Sequence, residues 1–483
     1  MLTSSASPVS SSHQNLSGSK TLRHYQESGV DFHRSRPISL NADDMGLGKT
    51  IQSLVAMKDC KCILVIVKGV TVYQWIKEIQ DWLDSSTLAC FPITSSAVPL
   101  IPGFRLYVVS MDTFSRRKDL YTNKTLFDGV IVDECHSFKN EKSMRGGALE
   151  TFFKANLLTL REYRFKRVIF LSGTPIKNRA DEFYPIFHIM DRANYPSRAH
   201  FTSRWLIQDE KGKYSRIAPW KEDSFYQELS QLMIRRLKTE VATDLPPFQR
   251  YFLDVPIEDG EIKNSYNRTL DLFDNWLHAE KDLGAIQCDS LLGWLNKLRS
   301  ITARAKAPVM AEIVNEAMQE LPEGEKLCIT LHHRDPLDIL MYMCREWDPL
   351  SLTGSDSNEA KAEIARVYTD DPSRKLLFLS QLAGGVGLNL QVCNNVYALE
   401  RQWNSADEEQ VESRFNRIGQ TRPVSYCYCI APRTIDQYFS DMVEEKRQTF
   451  AQVVDYGSMQ SFDATQDKGF LMELASRVLS SRL

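Results

Sequence analysis

No stretch of about 18 apolar residues occurs anywhere in the 483-residue sequence, which excludes a helix pattern able to cross a bilayer. The first nineteen residues hold no lysine or arginine and are rich in serine. They lack the charged start and apolar core of a secretory signal and the arginines of a transit peptide, and read as a disordered tail. No CxxC pair is present. The ten cysteines are scattered, and the close pairs Cys60/Cys62 and Cys427/Cys429 are C-x-C within apolar stretches. Strand neighbours explain that spacing better than zinc does, so reduced thiols and an intracellular setting are expected. Nor is there an internal repeat of 20–50 residues, or a strong charge imbalance. The net charge of −3 leaves room for a local basic groove without demanding one.

What is there is ordinary in bulk and specific in detail. Hydrophobic residues at 43% and charged residues at 25% describe a folded chain long enough for two to four domains. From about residue 37, short apolar runs alternate with helical patterns, the signature of a parallel α/β sheet. Ile38–Ala42, Cys62–Val67, Leu106–Val109, Val130–Val132 and Val168–Leu171 read as strands. Val72, Trp75, Ile76, Ile79 and Trp82 recur at helical spacing. Residues 181–300 read as mostly helical. Strands then resume at Leu327–Leu331, Leu376–Ser380, Val396–Glu400 and Val424–Ile430, with helices at 336–345, 357–368 and 405–418. Thr434-Ile435-Asp436-Gln437 matches a capping box, so a last helix should begin there.

Four strings carry chemistry. Asp44-Met45-Gly46-Leu47-Gly48-Lys49-Thr50 follows a strand and continues through Ile51, Leu54 and Val55 as an amphipathic helix. Gly46 and Gly48 allow close backbone approach to phosphate, Lys49 can reach the β/γ-phosphates, and the Thr50 hydroxyl can ligate Mg²⁺. The strict phosphate-loop pattern would need glycine at 43, where Asp43 stands, and a Gly-rich turn is the competing reading. Asp133-Glu134-Cys135-His136 emerges from an apolar strand. There Asp133 is placed to hold Mg²⁺ and Glu134 to orient and deprotonate a water; an exposed acidic turn is the alternative. Ser172-Gly173-Thr174-Pro175 follows another strand. Finally, Gln410, Arg414 and Arg417 lie at i, i+4 and i+7, on one face of the expected helix. They would bring positive charge to a phosphoryl group, unless they form a solvated basic face.

Taken in order, these strings resemble the Swi/Snf-type ATPases of helicase superfamily two. Leu22-Arg23-His24-Tyr25-Gln26 resembles that family's adenine-reading motif, with Gln26 as the adenine contact. Ala42 through Thr50 matches its phosphate loop, Asp43 included. Trp75 and Glu78 fall in its QWxxE segment, and Met233-Ile234-Arg235-Arg236-Leu237-Lys238 in its LRRxK stretch. In the C-terminal half, Leu352-Thr353-Gly354-Ser355, Gly384 through Leu390, Trp403-Asn404-Ser405 and Arg417-Ile418-Gly419-Gln420 match further motifs. Three positions depart from the family pattern: Ser413, Asn416, and Lys68, which stands where proline is usual. Ala303 through Pro308 and the compact second half most resemble the annealing-helicase branch.

The resemblance implies two RecA-like parallel-sheet lobes in tandem with a helical insertion between them. Residues 1–20 would be tail, 21–255 lobe 1 with a helical protrusion from about 181, 256–305 a helical linker, 306–456 lobe 2, and 457–483 a C-terminal tail. It implies a DNA-dependent ATP hydrolase using ATP and Mg²⁺, in which Lys49, Thr50, Asp133 and Glu134 from lobe 1 meet Gln410, Arg414 and Arg417 from lobe 2. Double-stranded DNA is the implied partner, gripped through phosphates by Ser110, the Gly384-Gly385 loop and Trp403. Arg116-Arg117-Lys118 is either a further basic contact or a solvated turn, and Arg235-Arg236 fits interlobe packing better than DNA. No room for a chromatin-reading module is evident, so a partner or separate domain would supply targeting. The setting would be a prokaryotic or virus-infected cytoplasm, or a nucleus. An RNA- or DNA-unwinding DEAH-type helicase is the rival, disfavoured because such chains usually end their last motif Arg-Gly-Arg rather than Arg-Ile-Gly-Gln.

Overall fold

The structure is a computed structural model describing residues 20–83, 90–95, 97–121, 126–160, 162–173, 184–208, 214–279, 286–381, 388–452 and 467–480, with Asp181 and Thr465. The serine-rich segment 1–19, residues 174–178 and the loop 384–387 lie outside the described residues.

In chain order the strands are β1 (Ile38–Asn41), β2 (Ile63–Val67), β3 (Cys90–Ile93), β4 (Leu106–Ser110), β5 (Gly129–Val132), β6 (Leu157–Thr159), β7 (Glu162–Tyr163), β8 (Arg167–Leu171), β9 (Leu206–Gln208), β10 (Tyr214–Ile217) and β11 (Met233–Ile234). There follow β12 (Phe248–Asp254), β13 (Leu327–Leu331), β14 (Leu350–Leu352), β15 (Leu376–Ser380), β16 (Asn395–Ala398) and β17 (Val424–Ile430). Seven of them form one parallel sheet in the order β11-β1-β8-β5-β2-β4-β3, and six form a second in the order β12-β17-β16-β13-β15-β14. β6 with β7 and β9 with β10 are antiparallel hairpins.

Two tandem parallel sheets are the architecture expected of RecA-like lobes. Helices cover both faces of each sheet, so the central strands β2, β8 and β13 are buried at every position and mostly apolar, with Arg167 at the start of β8 and Thr330 within β13 as the polar exceptions. Separate apolar cores lie on the two sides of the first sheet, with Leu64, Ile66, Val130 and Phe170 facing one, and Ile63, Val65, Ile131 and Ile169 facing the other.

The domain boundaries differ from those expected. β12 pairs with β17 from Phe248↔Val424 to Asp254↔Ile430, so residues 248–254, expected in lobe 1, belong to the second sheet. The expected protrusion is not detached: Phe187, Tyr195, Phe201, Trp205 and Phe225 extend the core under the first sheet. The helix Cys288–Glu320 runs straight through the expected boundary at 305. Residues 468–479, expected as tail, form a helix whose Phe470, Leu471 and Leu474 join Leu291, Leu295 and Phe439 in one core.

The connector between lobes folds back on the glycine-containing loop that carries Leu47. Ala242, with Val241 and Leu245 beside it, packs in one small cluster with Tyr25 and Leu47 of lobe 1 and Ile418 of lobe 2.

Candidate active site

Because all strands of a sheet run in parallel, their C-terminal ends share one edge, and polar side chains placed there converge. β1 leads into the loop 42–48, and Gly48 is the cap of the helix Lys49–Ala56. Gly46 and Gly48 have φ of 85° and 78°, the left-handed region that glycine enters without strain. A Cβ on Gly48 would lie 2.4 Å from Gln26 Nε2, and one on Gly46 would lie 3.0 Å from Arg417 Cβ. Asp43 is wholly buried, with its carboxylate accepting from Arg236 (2.9 and 2.5 Å) and Gln52 Nε2 (3.1 Å). The residue that breaks the strict loop pattern therefore braces the loop from behind. Lys49 Nζ donates to the carbonyls of Asp43 (2.7 Å) and Asp44 (3.0 Å). Burial lowers its pKa, against the pull of Glu134, Asp43, Asp44 and Asp133.

The tip of β5 supplies the carboxylates. Asp133 accepts from Trp75 Nε1 (2.9 Å) and from the backbone N–H of Glu134 (2.9 Å). Burial first, and the charge of Glu134 second, push its carboxyl up to about 6. Glu134 has φ 45°, unusual for a residue with a side chain. Burial would raise its pKa, yet His136, Lys68, Lys49 and Arg414 together hold it down at about 2. The His136 ring lies 3.3 Å from the Glu134 carboxylate and 3.0 Å from Ser172 Oγ. The buried pair thus favours an ionised Glu134 beside a more readily protonated Asp133.

The second lobe closes over these groups. Gln410 Nε2 donates to Glu134 Oε1 at 3.4 Å, Lys238 Nζ to the Asn416 carbonyl at 2.7 Å, and Asn358 Nδ2 to the Gly69 carbonyl at 3.3 Å. The helix that carries Gln410 is shorter than expected. It spans Ser405–Glu412, so Arg414 and Arg417 lie in the turn after it, not on a helix face. Glu412, gripped by Arg250 (2.8 and 2.6 Å) and the Tyr428 hydroxyl (2.7 Å), fixes the end. Beyond it the Arg414 carbonyl accepts from Leu390 N–H (3.1 Å) and Gly419 turns at φ 99°. Both arginines still reach the cleft. Burial pushes the Arg414 pKa down to about 10, with Arg417 adding to the effect. Arg417 donates to Asn389 Oδ1, which also accepts from Gln74 Nε2 of lobe 1 at 3.4 Å.

One cleft is consequently lined by Gly46, Gly48, Lys49, Thr50, Asp133 and Glu134 from the first lobe and Gln410, Arg414 and Arg417 from the second. Lys68 and Gln74 also line it; Gln74 and Asn389 lie within matched motif strings but were not singled out in the sequence, and Lys68 stood out only as a departure. Other expected residues sit elsewhere. The Gln26 amide is engaged by backbone, donating to the Leu47 carbonyl (3.2 Å) and accepting from Arg23 N–H (3.0 Å). Ser110 caps the helix Met111–Arg116, accepting from Thr113 N–H at 3.0 Å. Trp403 corrects an expectation. It is 7% exposed, donates to Asn296 Oδ1 at 2.9 Å and stacks under Arg299, so its ring is core and offers no face to a nucleic acid. Arg117 is buried against Asp119, leaving only Arg116 and Lys118 of that cluster exposed.

The SNF2-related domain profile matches residues 25–307, more than half of the chain. The chain belongs to the SNF2-related domain family. This SNF2-related chain is 26% identical over 448 residues to the cattle DNA annealing helicase and endonuclease ZRANB3, covering 88% of this chain and 40% of that protein. It is 28% identical over 455 residues to the Xenopus tropicalis SWI/SNF-related matrix-associated actin-dependent regulator of chromatin subfamily A-like protein 1, covering 89% and 45%. It thus spans less than half the length of these relatives. The Sulfolobus solfataricus SWI2/SNF2 ATPase core in complex with dsDNA aligns with 96% of this chain and 98% of its own, at 22% identity and a TM-score of 0.42.

Proposed function

We propose that this SNF2-related chain is a DNA-dependent ATP hydrolase whose two lobes work as a motor on double-stranded DNA. The observation that carries the reading is the shared cleft, in which the phosphate loop and both carboxylates face Gln410, Arg414 and Arg417. The loop amides and Lys49 hold the β/γ-phosphates of ATP. Thr50 and Asp133 would hold Mg²⁺. Among the described residues no cluster of three or more His, Cys, Asp or Glu side chains occurs, which suits an ion that takes most of its ligands from phosphate and water. Bound there, the ion would neutralise charge on the phosphate oxygens.

Glu134, ionised and locked by its left-handed backbone, orients a water and accepts its proton as the oxygen attacks the γ-phosphorus and the bond to the bridging oxygen breaks. Arg414 and Arg417 balance the charge that spreads over the equatorial oxygens. Since the site is complete only when the lobes meet, ATP favours closure and product release favours opening. Relatives named as a DNA annealing helicase and as a regulator of chromatin support DNA as the track. Ser110 lies at the tip of β4 beside the Gly69 turn, where lobe 1 would meet phosphate.

ATPase rates with duplex DNA, single-stranded DNA and single-stranded RNA test this reading. Stimulation by duplex DNA with ATP-dependent displacement of a third strand supports it. Stimulation by RNA alone, or melting of a forked duplex without triplex displacement, transfers the chain to the unwinding helicases.

A further inference from the structure

Lys68 is the one cleft cation that the sequence marks only as a departure from the family pattern. It follows β2 and caps the short turn Gly69–Thr71, where its carbonyl accepts from the Thr71 N–H and hydroxyl, both at 2.9 Å. Its backbone sits at φ −64° and ψ 145°, a conformation proline supplies by itself. The turn therefore has no need of lysine; what lysine adds is a flexible ammonium.

Lys68 lines the cleft alongside Thr71, Glu78, Glu134 and Arg414. Lys49 donates to two carbonyls and Arg417 to Asn389, but Lys68 Nζ has no hydrogen bond or ion pair among the described residues. Its charge is felt at Glu134, next after His136 and ahead of Lys49 and Arg414. A cation beside the group proposed to handle the water, on the lobe that holds the phosphate loop, suits a ligand carrying one more negative group than a diphosphate.

We propose that Lys68 is a further catalytic residue of this site, its ammonium contacting the terminal phosphate of bound ATP from lobe 1, across from the arginines of lobe 2. The proposal rests on the ATP-hydrolase reading and adds to it a means by which lobe 1 distinguishes triphosphate from diphosphate. A charge-assisted hydrogen bond made to only one of two ligands separates their affinities by about 10-fold or more.

The test measures binding of ADP and of the non-hydrolysable β,γ-imido analogue of ATP, each with Mg²⁺, to wild type, Lys68→Met and Lys68→Arg, together with KM and kcat for ATP. Lys68→Met should lose about 10-fold or more in triphosphate affinity while ADP binding changes less than about two-fold, and Lys68→Arg should recover most of the loss. Equal losses for both nucleotides, or an unchanged ratio between them, overturn the proposal. So does an unchanged ratio with weakened duplex binding, which would assign Lys68 to DNA. If wild type itself neither binds nor hydrolyses ATP, the ATP-hydrolase reading falls and this proposal falls with it; a failure confined to Lys68→Met leaves that reading intact.

Discussion

Arg236 reaches back 193 residues to clasp Asp43 with two hydrogen bonds, 2.9 and 2.5 Å, behind the phosphate loop. Asp43 is fully buried and Arg236 is 13% exposed at its side chain. Removing one member of such a pair strands a buried charge, a cost of about 3–5 kcal/mol. Arg236→Ala should therefore lower stability by about that amount in denaturant unfolding, and much less in an Asp43→Gly background. Equal losses in both backgrounds would mean that the pair is not what braces the loop.

The proposed mechanism assigns phosphate grip and water handling to different side chains. Lys49→Ala should abolish nucleotide binding, whereas Glu134→Gln should bind ATP and hydrolyse it poorly. Binding and turnover measured on the same preparations separate the two, and wild-type turnover by Glu134→Gln would remove it from its role.

The turn arginines should act on rate more than on affinity. Arg417→Ala is expected to cut turnover by about 10³–10⁵ while leaving ATP binding within a few-fold. Asn389 aims Arg417 without lining the nucleotide cleft. Asn389→Ala should misplace the guanidinium and cost about 10² in kcat with little change in KM. Activity above a tenth of wild type in Arg417→Ala would move the interlobe cation elsewhere.

Acid should weaken lobe 1 through His33. Burial first, then the charges of Arg236, Arg167 and Arg36, push this histidine down to about 3, and it sits neutral between Ser39 Oγ (2.8 Å) and Asn41 Nδ2 (3.2 Å). Its folded pKa lies below the unfolded value of about 6.5, so below that pH the unfolded chain binds the proton more readily. The stability contributed is complete above pH 6.5 and is lost as pH falls towards 3, amounting to about 2 kcal/mol by pH 5. Comparing unfolding at pH 7.5 and pH 5 for wild type and His33→Gln checks this; an equal acid loss in both would exonerate His33.

Strands buried between layers were legible because they are short, mostly apolar and free of charge: β13, β15 and β17 fall where those runs predict. β12 was not, since Phe248–Asp254 is an edge strand with mostly exposed side chains and no apolar run. Nor could periodicity show that it pairs with β17, 176 residues ahead in register, rather than with the sheet it follows. In the site, the phosphate loop, Asp133 and Glu134 were readable because each must follow an apolar strand. The spacing of Gln410, Arg414 and Arg417 suggested one helix face, but the Glu412 clasp by Arg250 and Tyr428 ends that helix early. Trp403 matched a motif by type, while its burial depends on Asn296 and Arg299, far away in sequence.

The nest formed by Tyr25, Leu47, Ala242 and Ile418 gives the hinge a further meaning. A tether between two moving bodies could hang free in solvent, and its composition would then matter only through its length. Here the tether is wedged into a socket whose walls are the nucleotide loop on one side and the arginine turn on the other. Swinging the bodies apart must uncover that apolar plug, so opening carries a penalty set by the plug and independent of nucleotide. The angle between the lobes is then written into their joint, and polar substitutions at Ala242 or Leu245 would retune it without touching the side chains that line the cleft.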